Sequence, residues 1–313
     1  MKIVGHQKEI ELIKTYLGKN YDSLSLLYEG KDCIGKKLIA FLTARGFLCE
    51  KKEGLGCGKC QDCKLVNNLI SNIYENTNLT PHPNVKFIPY DGKEIKIDSI
   101  RDAISFLSLK ASKGKVLIIE KAENMNTESA NALLKTLEEP PLNTLIILTT
   151  SNQNKILPTI LSRLKKIRFS KLSNEEVRDI LSLRVSDEKK LENLVKIADG
   201  SLCLPFAALN KENVYNLAHS FYELLKTKKH TEGLFSIAAA VDKFDVEDTE
   251  LFFDIILRFF EIDLDNLKLS DKFAERFLIE IKKGKNAVLK GVKKKLILEG
   301  FYYNLKEVNV WIT

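Results

Sequence analysis

The sequence predicts an α/β domain with a parallel sheet, followed by helical segments that continue along the rest of the chain. Three short apolar runs predict strands, at residues 23–30, 115–120 and 144–150, and the last two have the composition of buried strands. Segments with helical spacing lie between them, and strands separated by helices form a parallel sheet. After Phe169 only helical patterns remain. The α/β domain is therefore expected to span residues 1–169.

The elements of this domain follow from apolar spacing and from residues that begin or end helices. The run GKKLIAFLTARGFL (35–48) has helical spacing and follows the first strand. In a later helical segment Asn126 or Thr127 can cap the start, and Pro140-Pro141 ends the helix. The apolar face of that helix consists of Ala130, Leu133, Leu134 and Leu137.

The second half of the chain is predicted to be helical. Ser173, with Glu176 three residues later, matches the capping box that begins a helix. Because a single core rarely grows past roughly 250–300 residues, more than one domain is expected. We predict a small helical domain at 170–211 and a helical C-terminal domain at 212–313. Its two apolar stripes consist of Val214, Leu217, Ala218, Phe221, Leu224 and Leu225, and of Phe252, Ile255, Ile256, Phe259 and Phe260.

Composition excludes few classes of function. The 313 residues carry a net charge of +7 and a pI of about 8.9, which permits contact with nucleic acid without requiring it. No apolar run approaches the roughly 18 residues that a membrane span needs. Residues 1–17 have the pattern of an amphipathic helix rather than of a signal peptide. A cytoplasmic protein is the expectation.

Four of the six cysteines lie in one short window, as Cys49, Cys57, Cys60 and Cys63. Thiolates two residues apart can turn toward one ion, and four thiolates form a closed tetrahedral site for structural Zn²⁺. Glycines between them give the chain the freedom that such a knuckle needs. The alternative is a set of reduced cysteines in a surface loop. We favour Zn²⁺.

Residues 30–37 read GKDCIGKK, which matches the phosphate-binding loop G-x-x-x-x-G-K-[ST] except at its last position. The predicted strand before it and the helix after it are the context that this loop requires. Amides between Gly30 and Gly35 would surround phosphates, and Lys36 would contact their β and γ oxygens. Lys37 replaces the hydroxyl that holds Mg²⁺, and an ammonium has no lone pair with which to bind a metal.

The strand end at 120–121 differs from a hydrolytic site in a similar way. Glu120 takes the position of the Mg²⁺-binding Asp, and Lys121 that of a Glu that orients water. Glu120 can still bind a metal, but loss of a general base typically costs about 10²–10⁴ in rate. Unaided ATP hydrolysis is not expected. ATP binding stays open, because Lys36 either still binds phosphate or remains from a lost function.

Residues 116–164, VLIIEKAENMNTESANALLKTLEEPPLNTLIILTTSNQNKILPTILSRL, resemble the clamp-loader branch of the AAA+ proteins, and most closely the delta-prime family of bacterial DNA polymerase III. Further similarities follow in the family's order. Residues 3–7 resemble the box beside the adenine pocket, and the four-cysteine insertion follows the loop helix. Residues 82–104 are similar to the His-Pro segment, and 150–152 to the sensor-1 turn. The resemblance implies an AAA+ P-loop domain, a helical lid at 170–211 and an all-α collar at 212–313.

Three departures distinguish the chain from ATP-hydrolysing members of that branch. They are Lys37, the Glu120-Lys121 pair, and Leu204 in place of the sensor-2 arginine. All three imply a subunit that does not turn over ATP on its own.

Ser162-Arg163-Leu164 resembles the Ser-Arg-Cys motif of the family, with Leu in place of Cys. The resemblance implies that Arg163 acts in trans as an arginine finger at a neighbour's γ-phosphate, with Ser162 in a supporting role. Such a finger can be worth about 10³–10⁵ in rate. Without the resemblance, Arg163 would be interpreted as a surface arginine near a strand end.

The resemblance also implies partners. These are the gamma/tau and delta subunits in a hetero-pentameric ring, and, through the complex, the sliding clamp and primed DNA. The chain would serve as a stator that also completes a neighbour's active site during DNA replication.

Two other functions stay open. One is an active gamma/tau-like ATPase that tolerates Lys37 and Glu120. The other is a zinc-stabilised DNA-binding module, for which the lysine-rich run at 282–296 could contact the phosphate backbone. We favour a simpler interpretation, in which these lysines form the solvent-exposed face of an amphipathic helix. Its inward residues would be Val288, Leu289, Val292, Leu296 and Ile297.

Overall fold

A computed structural model describes residues 3–19, 21–75, 82–226, 232–267 and 270–306. The chain divides into two compact units, unit 1 (Met1–Leu172) and unit 2 (Ser173–Thr313). The division into three domains, with ends at 169 and 211, stays a prediction.

Unit 1 is built around a five-stranded sheet in which every described strand pair is parallel, as predicted. The strand order across the sheet is β2-β3-β4-β1-β5. The strands are β1 (Ser23–Glu29), β2 (Val85–Ile88), β3 (Lys115–Ile119), β4 (Thr144–Thr150) and β5 (Lys165–Arg168).

The predicted apolar runs form the centre of the sheet. Every residue of β3 and β4 is buried, as expected for strands covered on both faces. Glu29 pairs with Thr150, so β1 and β4 end at the same level. The carboxyl ends of the parallel strands therefore meet at one edge, which is where ligands bind in open α/β sheets.

The helix predicted between Asn126 and Pro140 begins and ends where the sequence indicates. The Asn126 side chain caps its helix by accepting from the backbone N–H of Ser129 at 2.8 Å, and that helix ends just before Pro140. Leu133 and Ile160 lie on two helices of unit 1 and are fully buried in one hydrophobic cluster. The helices are α1 (Gln7–Leu17), α2 (Lys36–Leu48), α3 (Gln61–Glu75), α4 (Ile97–Ser108), α5 (Thr127–Glu138) and α6 (Pro158–Leu161).

Unit 2 is helical throughout its described residues. The capping box is confirmed, since the Ser173 hydroxyl accepts from the Glu176 N–H at 3.1 Å and the Glu176 carboxylate accepts from the Ser173 N–H at 2.8 Å. Both predicted apolar stripes pack into one core around Phe221 and Phe252. The helices are α7 (Asn174–Leu181), α8 (Glu188–Ala198), α9 (Cys203–Asn210), α10 (Glu212–Lys226), α11 (Glu232–Val241), α12 (Val246–Leu267), α13 (Asp271–Leu289) and α14 (Lys294–Lys306).

Within the described parts of the chain, no helix is both long enough and apolar enough to cross a membrane.

The prediction for residues 282–296 is wrong in part. The run is not one helix, because α13 ends at Leu289 and α14 begins at Lys294. Val288 is buried, but Leu289 is 65% exposed and Leu296 is 58% exposed. Gly291 has a φ of +75° and breaks the helical periodicity from which the inward face was inferred.

Candidate functional site

The loop between β1 and α2 has the strand–loop–helix context that a phosphate-binding loop requires. Gly30 has a φ of +153°, and a Cβ at this position would lie 2.5 Å from the carbonyl oxygen of Phe169. Gly35 has a φ of +103° and caps the N-terminus of α2. Both loop glycines are therefore required by backbone geometry, as the motif predicts. His6 contacts the same loop, with its Nε2 2.7 Å from the carbonyl oxygen of Ile34.

Lys36 is turned into its own loop. Its Nζ donates to the carbonyl oxygens of Gly30 at 2.6 Å and Lys31 at 2.5 Å. The residue is only 7% exposed. Burial lowers the pKa of Lys36, and the carboxylates of Asp32 and Glu123 partly oppose this shift. A phosphate group at the loop would have to compete with these two carbonyl oxygens for the ammonium.

Lys37 and Glu120 form an ion pair across the site, with Nζ 3.0 Å from Oε1. The second carboxylate oxygen of Glu120 lies 3.4 Å from the backbone N–H of Tyr90. The lysine that replaces the metal-binding hydroxyl therefore contacts the carboxylate that would bind the metal. These two side chains do not fit a Mg²⁺ site, because one is a cation and the other already neutralises it.

A second ion pair lies beside the first. Lys121 Nζ is 3.2 Å from a carboxylate oxygen of Asp32, and its backbone N–H donates to the hydroxyl of Thr149 at 3.1 Å. Lys121 has a φ of +51°, and its Nζ lies 5.1 Å from the centre of the Tyr90 ring. The residue at the position of the water-orienting Glu is thus a donor that is held by an acid of the loop. Sequence reasoning identified Lys121 but missed its partner Asp32.

The turn after β4 is held by another acid that the sequence analysis missed. Glu123 accepts from the backbone N–H of Ser151 at 2.9 Å and from its hydroxyl at 2.7 Å. The Asn152 side chain, at the predicted sensor-1 turn, accepts from the N–H of Asn154 at 3.1 Å.

Arg163 follows α6, and its side chain is 31% exposed. Its Nη1 donates to the carbonyl oxygen of Thr159 at 2.6 Å and lies 3.1 Å from the Ser162 hydroxyl. Its Nη2 forms an ion pair with Glu138, at the end of α5. Ser162 also donates to Thr159 O at 3.0 Å, so it helps to shape the turn that presents Arg163.

The four predicted metal ligands converge. The sulfur atoms of Cys49, Cys57, Cys60 and Cys63 all lie within 4.8 Å of one another. With Zn–S bonds of about 2.3 Å, sulfurs at the corners of a tetrahedron are about 3.8 Å apart, so little movement is needed to enclose an ion. The residues present form a group that could hold a metal ion. An all-sulfur donor set suits soft or borderline ions.

Two of the sulfurs differ in acidity. Burial opposes ionisation of Cys49, but the backbone N–H groups of Cys57, Lys51 and Glu53 lower the pKa of Cys49 to about 6. Burial and the neighbouring Cys60 thiol raise the pKa of Cys63. A bound cation would favour the thiolate form of both.

The cysteine module packs on α2 through glycines. A Cβ on Gly46 would lie 2.4 Å from the carbonyl oxygen of Gly54. Gly56 has a φ of +95°, and its Cβ would lie 3.0 Å from the sulfur of Cys63. Lys113 then ties the module to the α4–β3 connection, since its Nζ lies 2.7 Å from carboxylate oxygens of both Glu50 and Asp62. No local sequence pattern indicates this bridge.

The five-stranded parallel sheet with its flanking helices, and the helical unit that follows it along the chain, define the class of protein. The chain is an α/β protein with a helical second unit. A crystal structure of a gamma subunit-related protein of DNA polymerase III from Thermotoga maritima has the same fold, with a TM-score of 0.54 and 20% identity. The superposition covers 96% of this chain and 99% of that one.

Sequence comparison narrows the class to a family. The profile described as "DNA polymerase III, delta subunit" matches residues 5–173, which is more than half of the chain. The chain belongs to this family.

Curated relatives include delta-prime subunits, in agreement with the predicted resemblance. Identity to DNA polymerase III subunit delta' of Bacillus subtilis is 32% over 175 residues, covering 55% of this chain and 50% of the relative. Identity to subunit delta' of Pseudomonas aeruginosa is 33% over 183 residues, covering 56% and 52%. The tau subunit of Escherichia coli is 28% identical over 210 residues, covering 64% and 31%. The chain thus spans about half the length of the delta-prime relatives that it matches.

Proposed function

We propose that this chain is the delta-prime subunit of a bacterial clamp loader, that it does not cleave ATP unaided, and that it lends Arg163 to the active site of a neighbouring subunit. The family match and the delta-prime relatives support the first part. The ion pair between Lys37 and Glu120 carries the second part.

That ion pair opposes Mg²⁺ in two ways. The Lys37 side chain has no hydroxyl with which to bind the metal, and its ammonium lies next to the carboxylate that a metal would need. At 4 Å and an effective dielectric of about 20, a dication and a single positive charge repel each other by about 8 kcal/mol. Lys121 adds to the defect because it donates to Asp32 where a hydrolytic site needs an acceptor.

Arg163 supports the third part. A guanidinium is planar, stays charged and can bridge phosphate oxygens. The side chain is partly exposed on a turn whose anchor, Ile160, is fully buried. Placed at a neighbour's γ-phosphate, it would stabilise the charge that develops there during cleavage.

The proposed assembly is a hetero-pentameric ring with the gamma/tau and delta subunits. In this ring the chain acts as a stator while the complex opens the sliding clamp and places it on primed DNA. Residues 170–211 would form the lid and 212–313 the collar that holds the subunits together.

We also propose that the four-cysteine group binds structural Zn²⁺. Four sulfur donors leave no coordination position open, so the ion would stabilise the module and take no part in chemistry. The convergence of all four sulfurs supports this assignment.

The competing function is an active gamma/tau-like ATPase. Two observations favour it: the loop glycines and Lys36 are intact, and the matches to tau subunits extend over 64% of the chain. Turnover by the isolated chain discriminates between the two, since an active ATPase would show Mg²⁺-dependent hydrolysis.

The direct test of the proposed function is reconstitution with the other clamp-loader subunits. We expect Arg163→Ala to slow ATP cleavage about 10³–10⁵-fold at the one site that Arg163 completes, so that the DNA-stimulated turnover of the complex loses the share of that site. The matched control is Arg101→Ala, which removes an exposed arginine from α4 of the same unit. Equal turnover in the two complexes would refute the proposal.

A further inference from the structure

We infer that Glu138 is a positioning residue that holds Arg163 while the chain is unassembled and releases it when a neighbour's triphosphate arrives. The inference rests on the proposed function of Arg163 and adds a residue that controls when the finger is available.

The contacts of Arg163 carry the inference. Its Nη2 is paired with the Glu138 carboxylate, and its Nη1 donates to the carbonyl oxygen of Thr159 at 2.6 Å. The guanidinium is therefore held on two sides by acceptors of its own chain. Because both Nη atoms already donate within the chain, a triphosphate oxygen that approaches this end of the guanidinium competes with these acceptors for its N–H groups.

Buried residues next to Glu138 and Arg163 fix the positions of the two members of the ion pair. Glu138 is the last residue of α5, and the preceding Leu137 is 5% exposed. Ile160 of α6, three residues before Arg163, is fully buried in the same cluster. The packing of α5 against α6 thus fixes the backbone at both ends of the ion pair.

Glu138 does little for its own helix. A carboxylate in the last turn faces the negative end of the helix dipole, where a cation would be favoured. Its favourable partner in the structure is Arg163. The arrangement suits a residue that serves the arginine rather than the helix.

Exposure makes the exchange feasible. The Glu138 side chain is 48% exposed and that of Arg163 is 31% exposed, so a ligand on a neighbouring subunit can reach the guanidinium. After release, Glu138 remains in contact with water and its charge stays solvated. A triphosphate carries more negative charge than one carboxylate and can therefore compete for Arg163.

The expected effect follows from population-shift arithmetic. While Arg163 is paired with Glu138, the chain cannot use it on a neighbour. The apparent affinity of assembly is therefore reduced in proportion to the fraction of chains in which Arg163 is released. Because exposed ion pairs are weak, we expect Glu138→Gln to lower the half-saturating concentration of the chain by about two- to fivefold. The maximal turnover should not change, since Arg163 itself is intact.

The experiment titrates the full chain into the other clamp-loader subunits at saturating ATP and primed DNA, and records ATP turnover. Wild type is compared with Glu138→Gln, with Arg163→Ala, and with the matched control Glu139→Gln, which neutralises the adjacent exposed glutamate. The titration is repeated at high salt, where screening of the exposed pair should bring wild type and Glu138→Gln together.

A lower half-saturating concentration for Glu138→Gln alone, lost at high salt, is the expected result. Values for Glu138→Gln equal to those for Glu139→Gln, or a fall in maximal turnover, would overturn the inference. If Arg163→Ala leaves turnover unchanged, the proposed function itself fails, and this outcome is distinct from a failure of Glu138 alone.

Discussion

Replacing Lys37 with Thr should restore a Mg²⁺-dependent response to the nucleotide site. The change supplies the missing hydroxyl and frees the Glu120 carboxylate, whose Oε1 lies 3.0 Å from Lys37 Nζ. The full repulsion of about 8 kcal/mol between a dication and an ammonium is an upper limit. Lys37 is 32% exposed and can swing toward water. We therefore expect the substitution to relieve about a quarter of this repulsion, about 2 kcal/mol. That free energy corresponds to an increase of about 30-fold in affinity for the Mg²⁺ complex of ATP.

The assay is a titration of the isolated chain with a fluorescent ATP analogue, in excess Mg²⁺ and in excess chelator. Lys37→Thr should bind about 30-fold more tightly with Mg²⁺ than wild type does. Turnover should stay absent, because Lys121 still occupies the position of the water-orienting residue. The control is Lys110→Thr, which removes an exposed lysine outside the site. Equal Mg²⁺-dependent affinity in wild type and Lys37→Thr, or none in either, would refute the role given to Lys37.

Three further predictions concern the metal site and the buried histidine. Cys60→Ser should release the bound Zn²⁺ and lower the melting temperature, because metal binding stabilises the folded module; metal analysis and thermal unfolding measure both. Gly56→Ala should lower the free energy of unfolding by about 1–3 kcal/mol, because it combines a positive φ with contacts of 2.9 to 3.0 Å; urea unfolding measures it. Burial lowers the pKa of His82 below 6.5, so the unfolded chain binds more protons. Stability should therefore fall as the pH drops below about 6.5, and His82→Asn should flatten that fall in urea midpoints at pH 7.5 and 5.5.

Each of these three predictions has a control measurement. Lys59→Ser, next to the metal site, should keep the full metal content, and a Cys60→Ser protein that does so as well would exclude the four-sulfur site. Gly58→Ala shares a positive φ of 73° but meets no atom within 4 Å, so equal losses at both glycines would refute the steric argument. Identical pH profiles for wild type and His82→Asn would show that His82 does not set the acid limit.

The parallel sheet, its buried strands, the limits of α5 and the start of α7 could be predicted from the sequence, because they depend on local patterns. Apolar runs predicted β3 and β4, and Asn126 and the Pro140-Pro141 pair predicted the limits of α5. The four-cysteine group could be predicted for the same reason, since the spacing of its members is local. The prediction of one helix at 282–296 was wrong because Gly291 allows a turn, although the apolar residues on both sides of it keep a helical spacing.

The ion pairs of the site could not be predicted in this way. Asp32 and Lys121 are 89 residues apart, and Lys37 and Glu120 meet only because β1 and β3 end at the same edge of the sheet. Opposite charges at the ends of two predicted strands were the available signal, but register decides which charges meet. The contact between Glu138 and Arg163 could not be predicted either, because the sequence contains many glutamates and only the packing shows which of them contacts Arg163.

We propose above all that this chain does not cleave ATP in its own site. Steady-state ATP turnover by the isolated chain at saturating Mg²⁺ and ATP tests it most directly, with Lys36→Ala as the reference for contaminating activity. We expect the same background rate of ATP turnover in both preparations. Mg²⁺-dependent turnover in wild type that disappears in Lys36→Ala would contradict it.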